Sequence, residues 1–246
     1  MRKSSLFLSL LLFASLLSSG QPLWSEIELD QDSEISLLTC APGNEIFECF
    51  GHSALRVHDP KSGLDVVFNY GYYEFHSENF IFNFVKGNLR YKLGLDAYQH
   101  FIGIYTKDNR TIKEQILNLS LKEKRDLFAF LVWNEKPSNR FYQYHYFQDN
   151  CSSRLYELMP SATQRTLDFG FTYRDSLGYS IRDLVHEYAH NNTWTGFGIE
   201  LCMGPSIDEK LTDEGYLFLP DFLYSTFDIA TIGKEKLVKE TKANTL

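Results

Sequence analysis

The sequence is poor in the features that mark several other classes of protein. It has only 7 Pro and 15 Gly in 246 residues. No repeat or low-complexity tract occurs, which excludes collagen-like and disordered chains. Basic residues number 24 against 32 acidic ones, giving a formal net charge of −8, and no basic stripe is available to neutralise a phosphate backbone. We therefore expect no nucleic acid partner, and a chain with 43% hydrophobic residues is expected to bury one sizeable core.

Long hydrophobic runs are absent after the N-terminus, and the run there is short. Arg2 and Lys3 precede an apolar stretch over residues 6–17, and Ser18 and Gly20 supply the small residues of a cleavage site. A bilayer core of about 30 Å needs about 20 apolar residues in a helix. The pattern predicts a secretory signal peptide over residues 1–20, with an uncleaved N-terminal anchor as the alternative. After signal cleavage no transmembrane segment is expected.

Composition predicts a single domain followed by a short appendage. No linker rich in Pro or Gly interrupts residues 26–232, whereas the chain from Lys234 onward is charged and free of aromatic residues. We expect one domain over 21–232 and a loose, charged C-terminal tail over 233–246. Export places this domain in the periplasm or at the cell surface, and an association with the outer membrane fits the same signal.

Cysteine is scarce, and the count is even. An exported chain meets an oxidising compartment, in which exposed thiols tend to pair. The four residues allow two disulfides in three possible pairings; they are Cys40, Cys49, Cys151 and Cys202. A catalytic cysteine would have to stay out of these bridges.

Alternating polarity predicts two adjacent antiparallel strands near the N-terminus of the domain. A strand over 34–40 comes first, and alternation resumes at His52, with a hairpin turn over 59–63 and a return strand over 64–70. The hairpin places the start of its first strand beside the end of its second. His52 and Asn69 are therefore expected to lie close together.

The rest of the chain mixes helical and strand patterns. Helices are predicted over 78–85, 96–105, 121–133, 151–160, 180–189 and 221–232, and strands over 140–147 and 198–202. Ser120 and Glu123 form the capping box of the third of these helices. The pattern predicts an α+β fold, an antiparallel sheet with packed helices.

The most reactive combination predicted from the residues is a cysteine with a histidine. Cys151 follows Asn150 at a strand-to-helix junction, where the helix dipole and unpaired N–H groups favour a thiolate and an oxyanion. His52 follows Gly51 at the start of a strand and is the candidate base. A polar group on the next strand, Asn69 or Asp65, would orient the imidazole.

Several segments resemble the Lnb N-terminal periplasmic domain family. They are LLTCAPGNE (37–45), FGHSALRV (50–57), VFNYG (67–71) and DNC (149–151), with NTW (192–194), GPSID (204–208) and FLP (218–220) further along. The order of a strand histidine followed much later by a cysteine at a helix start is similar to the circularly permuted papain-like hydrolases. That superfamily includes NlpC-type and lecithin:retinol acyltransferase-like enzymes.

The resemblance implies a permuted papain-like domain that forms a thioester. Cys151 would be the nucleophile, His52 the base and Asn69 the orienting residue, although the superfamily more often has a histidine in that third role. The Cys151 N–H and the Asn150 side chain would stabilise the oxyanion. The implied substrate is an amide or ester of the cell envelope, carried by a small molecule, peptide or lipid. No cofactor is implied.

Two alternatives remain at this point. His186, Glu187 and His190 match the H-E-x-x-H zinc motif, with the two histidines as ligands, yet they share a helix face with charged residues. A non-catalytic envelope binding or assembly domain of the same fold is the other, with Cys151 in a disulfide. The aromatic residues of 141–147 are expected mainly in the core of the sheet, with a substrate groove as the alternative.

Overall fold

A seven-stranded antiparallel sheet forms the centre of the molecule. The computed structural model describes residues 27–45, 48–73, 89–171, 178–189 and 193–244. The strands of this sheet are β1 (Glu34–Cys40), β2 (His52–Asp59), β3 (Leu64–Tyr73), β4 (Leu89–Ala97), β5 (Ile112–Leu117), β6 (Phe141–Tyr144) and β10 (Val238–Asn244). They lie in the order β10-β5-β1-β2-β3-β4-β6, and β7 (Leu167–Asp168), β8 (Thr231–Ile232) and β9 (Glu235–Lys236) form a second, small sheet.

Six α-helices accompany the strands in the part of the chain that the structure describes. They are α1 (Tyr98–Lys107), α2 (Leu121–Glu135), α3 (Cys151–Ala162), α4 (Ile181–Tyr188), α5 (Thr193–Met203) and α6 (Pro220–Ile229). Two 3₁₀ turns cover Gly204–Ile207 and Glu214–Phe218. The predicted α+β class and its antiparallel sheet with packed helices are confirmed.

The alternation of each strand divides the core between two sheet faces. Leu37, Leu55 and Phe68 are buried on one face, where apolar side chains of α2, α3 and α6 cover them. Leu38 and Val67 point to the other face, where α1 covers them. Because successive strand residues alternate, His52 and Asn69 belong to the α1 face, as Ala54 and Val67 do. His52 begins β2 and Asn69 lies toward the end of β3, so the two side chains meet at the same end of the hairpin.

The register of the first three strands follows from the turn between β2 and β3. Leu55 pairs with Phe68 and Asp59 with Leu64, while Cys40 of β1 pairs with His52. The turn itself is closed by Asp59, whose carboxylate accepts from the Ser62 backbone N–H at 3.0 Å. The predicted hairpin is confirmed, and His52 stands at its open end.

The strand predicted over 140–147 is shorter, Phe141–Tyr144, and the helix predicted over 221–232 ends at Ile229. Three other predicted elements differ more. Residues 198–202, expected as a strand, belong to α5. Asp96 and Ala97, expected to begin a helix, end β4, and α1 begins at Tyr98. The segment expected as a loose tail contains β10. This strand pairs with β5 at the edge of the sheet, with Val238 opposite Leu117 and Asn244 opposite Ile112.

Other predictions lie outside the described residues. These include the signal peptide over 1–20 and the helix over 78–85. Among the helices that the structure describes, none has the length and apolar character that crossing a bilayer requires.

Candidate functional site

The cysteine of the candidate site occupies the first turn of α3. Asn150 caps this helix, and its side-chain oxygen accepts from the backbone N–H groups of Ser152 at 2.8 Å and Ser153 at 3.0 Å. Cys151 is a free thiol and is buried, with 8% of its surface exposed. No hydrogen bond among the described residues uses the Cys151 N–H, which points out of the helix N-terminus. This N–H is thus available to an oxyanion.

Asn150 is fully occupied by the protein itself. Its amide group donates to the backbone carbonyls of Tyr146 and Phe218, both at 2.8 Å. An amide has two N–H bonds, so none is left for a reacting carbonyl. The Asn150 amide, predicted as an oxyanion donor, is therefore engaged within the protein, where it fixes the helix start that carries Cys151.

Replacing Asn150 with alanine is expected to lower the free energy of unfolding by about 2–4 kcal/mol. The change removes the helix cap and the two hydrogen bonds that the side chain donates to the Tyr146 and Phe218 carbonyls. Asn150→Ser keeps an acceptor for the cap, so it should recover about 1 kcal/mol of that loss. Urea unfolding followed by circular dichroism measures both. Equal stability of Asn150→Ala and the parent chain would contradict this role.

His52 reaches Cys151 because β2 begins beside the start of α3. The preceding Gly51 has φ = 76°, and a Cβ there would lie 2.6 Å from the Cys40 carbonyl oxygen, so only glycine fits this entry to the strand. The His52 and Cys151 side chains are hydrogen-bonded, and the Ser53 backbone N–H donates to the same sulfur. The Ser152 hydroxyl also lies 3.9 Å from this sulfur, so three groups of the protein hold the Cys151 thiol in place.

The charges of the pair favour proton transfer from cysteine to histidine. Burial alone would raise the pKa of Cys151, but the charge and hydrogen bond of His52, aided by the Ser53 N–H, hold it below its ordinary value. Burial alone would lower the pKa of His52, but the Cys151 thiolate and the bonds to Cys151 and Asn69 raise it, against a smaller opposing effect of Arg110. Each group therefore favours the charged form of the other, a thiolate beside an imidazolium.

Asn69 holds the other side of the imidazole. Its side-chain oxygen lies 2.6 Å from His52 Nε2, so Nε2 carries the proton and donates, and Nδ1 faces the thiol. Asp65, the other orienting residue considered, is committed to Arg56, with Nε–Oδ1 at 2.7 Å. The structure brings Cys151, His52 and Asn69 together and leaves Asp65 aside.

Asp96 was not among the predicted site residues. Its carboxylate lies behind Asn69 and accepts from Asn69 Nδ2 at 3.4 Å. The alternation of Leu93, Leu95 and Ala97 with polar residues indicates a strand that ends at 97, and this signal would have placed Asp96 on the face of Asn69.

Aromatic rings line the neighbourhood of the thiol. Tyr91 and Tyr144 stack with their centroids 4.0 Å apart, and Tyr142 lies against both. Burial, and next the nearby charge of Cys151, raise the pKa of Tyr142 and Tyr144 above the ordinary value, so both hydroxyls keep their protons. Tyr142 packs against the main core and Phe147 against a second apolar cluster, while each residue of 141–147 keeps some exposure.

The zinc alternative rests on α4 and the residues after it. His186 has 83% of its side chain exposed, and its Nδ1 lies 3.5 Å from Glu200 Oε1. His190 lies outside the described residues, so the pair stays a prediction. Within the part of the chain that the structure describes, no three His, Cys, Asp or Glu side chains converge to hold a metal.

Comparison with known proteins identifies a family. The family model described as Lnb N-terminal periplasmic domain matches residues 22–186, which include His52, Asn69, Asn150 and Cys151. No curated protein matches the chain, and no solved structure matches it.

Proposed function

This chain belongs to the Lnb N-terminal periplasmic domain family and is periplasmic, and from that premise we propose that it is a cysteine-dependent hydrolase or acyltransferase. The observation that carries the proposal is the buried contact of Cys151 with His52, itself held by Asn69 at 2.6 Å. A thiolate at a helix N-terminus, paired with an oriented imidazolium, is the arrangement that acyl transfer requires. The order of these residues along the chain supports a permuted papain-like fold.

The proposed reaction proceeds through a thioester. The Cys151 thiolate attacks the carbonyl carbon of an amide or ester, a C–S bond forms, and the carbonyl electrons move onto its oxygen. The Cys151 N–H and the positive end of the α3 dipole stabilise that oxyanion. His52 then gives its proton to the departing amine or alcohol as the bond to carbon breaks.

The second half of the reaction releases the acyl group. His52, now neutral, takes a proton from water or from another nucleophile as that group attacks the thioester, and the Cys151 thiolate leaves. Water makes the protein a hydrolase, and an amine or alcohol makes it an acyltransferase. We propose that the acyl donor is an envelope component, either a peptide amide or a lipid ester.

The non-catalytic alternative requires that Cys151 be consumed in a disulfide. Cys40 and Cys151 are free thiols among the described residues, and this supports the catalytic proposal over that alternative. Cys151 labelling therefore tests the proposal directly.

Treating the purified, unreduced protein with iodoacetamide at pH 6 is expected to modify Cys151 ahead of other cysteines. Cys40 is an internal control, because burial raises the pKa of this neighbouring free thiol to about 12. Mass spectrometry of a digest locates the label. An aryl acetate ester should place an acetyl group on the same sulfur. A quantitative disulfide at Cys151, or a labelling rate no faster than that of Cys40, would refute the enzyme assignment.

The rate at which iodoacetamide labels Cys151 should depend less on pH than the rate for an ordinary thiol. The groups that face His52 are Cys151, Asn69 and Arg110, and the thiolate is the reactive form. Because the pKa of Cys151 is lowered, thiolate persists below the ordinary thiol pKa of about 8.5, so the rate should change less steeply with pH than that of an ordinary thiol. The pH profile of the alkylation rate measures this. A tenfold rise per pH unit between 6 and 8 would indicate an ordinary thiol instead.

A further inference from the structure

A buried carboxylate stands directly behind the residue that orients His52. Asp96 is the second-to-last residue of β4, just before α1. Its side chain is 7% exposed and accepts a hydrogen bond from Asn69 Nδ2 at 3.4 Å. Val67 pairs with Asp96 across the β3–β4 ladder, and Asn69 is two residues further on the same face. The side chains thus form a continuous row from Cys151 through His52 and Asn69 to Asp96.

Asp96 is itself held in place. The Tyr72 hydroxyl donates to both carboxylate oxygens at 2.7 Å, and His100 Nδ1 lies 3.4 Å from Oδ1. Burial and the bond to Asp96 raise the pKa of Tyr72, so its hydroxyl remains a donor. Gly94 makes this possible, because a Cβ there would lie 2.3 Å from the Tyr72 ring.

The orientation of the Asn69 amide, with either its oxygen or its nitrogen toward His52, decides which ring nitrogen of His52 carries a proton. With its oxygen toward His52, Asn69 accepts from Nε2–H and leaves Nδ1 to receive the Cys151 proton. With the amide turned around, its N–H groups would face Nε2 and favour a proton on Nδ1, where it blocks transfer from the thiol. A carboxylate accepts and does not donate, so Asp96 favours the first orientation only.

We propose that Asp96, clamped by Tyr72, is a positioning residue that fixes the Asn69 amide and thereby sets the tautomer of His52. The inference rests on the proposed function for its catalytic meaning, since it explains how His52 becomes able to take the Cys151 proton. The effect of Asp96 on the His52 tautomer, transmitted through Asn69, does not depend on whether the protein has a substrate.

The tautomer is measurable without catalysis. In a ¹⁵N-labelled Cys151→Ala chain at pH 8, long-range ¹⁵N–¹H correlations of the His52 ring report the ratio of Nδ1–H to Nε2–H forms. Adding Asp96→Asn is expected to raise that ratio about fivefold, the factor of one lost hydrogen bond. The side chain keeps its size, but its amide can donate as well as accept, so the sense of Asn69 is no longer enforced.

A matched control separates positioning from general destabilisation. Asp59 is also buried at a strand end and hydrogen-bonded, to Ser33 and Ser62, yet it lies at the far end of β2. Asp59→Asn should lower stability and leave the His52 ratio unchanged. An unchanged ratio in folded Asp96→Asn overturns the proposal. Should that variant fail to fold, Tyr72→Phe decides instead, with a raised ratio supporting the proposal and an unchanged ratio overturning it.

In the chain that retains Cys151, Asp96→Asn should also slow alkylation at pH 6 and move the pH profile toward that of an ordinary thiol. The two measurements distinguish the two proposals. An unreactive Cys151 together with an Asp96-dependent ratio would refute the hydrolase and retain the positioning role. A reactive Cys151 with an Asp96-independent ratio would do the reverse.

Discussion

Replacing His52 with alanine is expected to slow alkylation of Cys151 at pH 6 by about 10²-fold. Without the imidazolium, burial governs the thiol, and its pKa returns to or above the ordinary value. A thiol of pKa about 8.5 is roughly 0.3% ionised at pH 6, and the greater nucleophilicity of a more basic thiolate offsets part of that loss. Rates of iodoacetamide modification, followed by mass spectrometry, provide the measurement.

His58→Ala is the matched control for this experiment. His58 lies on the same strand and the same face as His52, six residues along at the other end of β2. Its removal should leave the Cys151 rate within about twofold of the parent, since distant sites act independently. If both histidine variants react at the parent rate, the thiolate is not maintained by His52, and the proposed site fails.

Replacing Arg56 with methionine is expected to cost about 3–5 kcal/mol of stability. Its guanidinium bridges Asp65 at 2.7 Å and Glu114 at 3.0 Å and lies 3.5 Å from the centre of the Tyr98 ring. Glu114 has 5% of its side chain exposed, so the variant leaves a buried carboxylate without its counter-ion. Urea unfolding monitored by circular dichroism gives the difference in free energy of unfolding.

Two further variants test the cause of that loss. Combining Arg56→Met with Glu114→Leu removes the orphaned charge and should recover most of the stability, because a buried ion pair and an apolar pair of similar volume are close in energy. Lys122 forms an exposed pair with Asp126, and Lys122→Met should cost at most about 0.5 kcal/mol. A loss below about 1 kcal/mol for Arg56→Met would show that the bridge is not a main support of the sheet.

Local chemistry made part of this molecule predictable. The turn residues between β2 and β3 and the period-two alternation around them fix the register, so the proximity of His52 and Asn69 followed from sequence and is confirmed at 2.6 Å. The helix formers that follow Cys151 likewise predicted a helix that begins there, and the structure confirms it. Contacts within a hairpin and within one helix turn depend on a few neighbouring residues, so they can be predicted from the sequence.

What depended on distant segments was not predictable in the same way. The predicted helix began two residues too early and so included Asp96. This placed Asp96 apart from Asn69, although Asp96 lies on β4, which pairs with the strand of Asn69, β3. The segment 198–202 was predicted as a strand, and the helix that it belongs to, α5, lacks a clear apolar stripe and contains glycines at 196 and 198, which lower helix propensity. The two carbonyls that occupy Asn150 come from Tyr146 and from Phe218, and the second is unreachable by local reasoning.

The pairing of β10 with β5 affects how the chain can be shortened. β5 has β1 on one side and β10 on the other, so the backbone groups of both its edges are used. Ending the protein before Val238 would uncover the outer edge of β5, in which Ile112, Ile116 and Leu117 are buried. An open strand edge recruits strands from neighbouring molecules and leads to aggregation. The charged C-terminal segment thus acts as a cover against self-association, with its lysines turned to solvent.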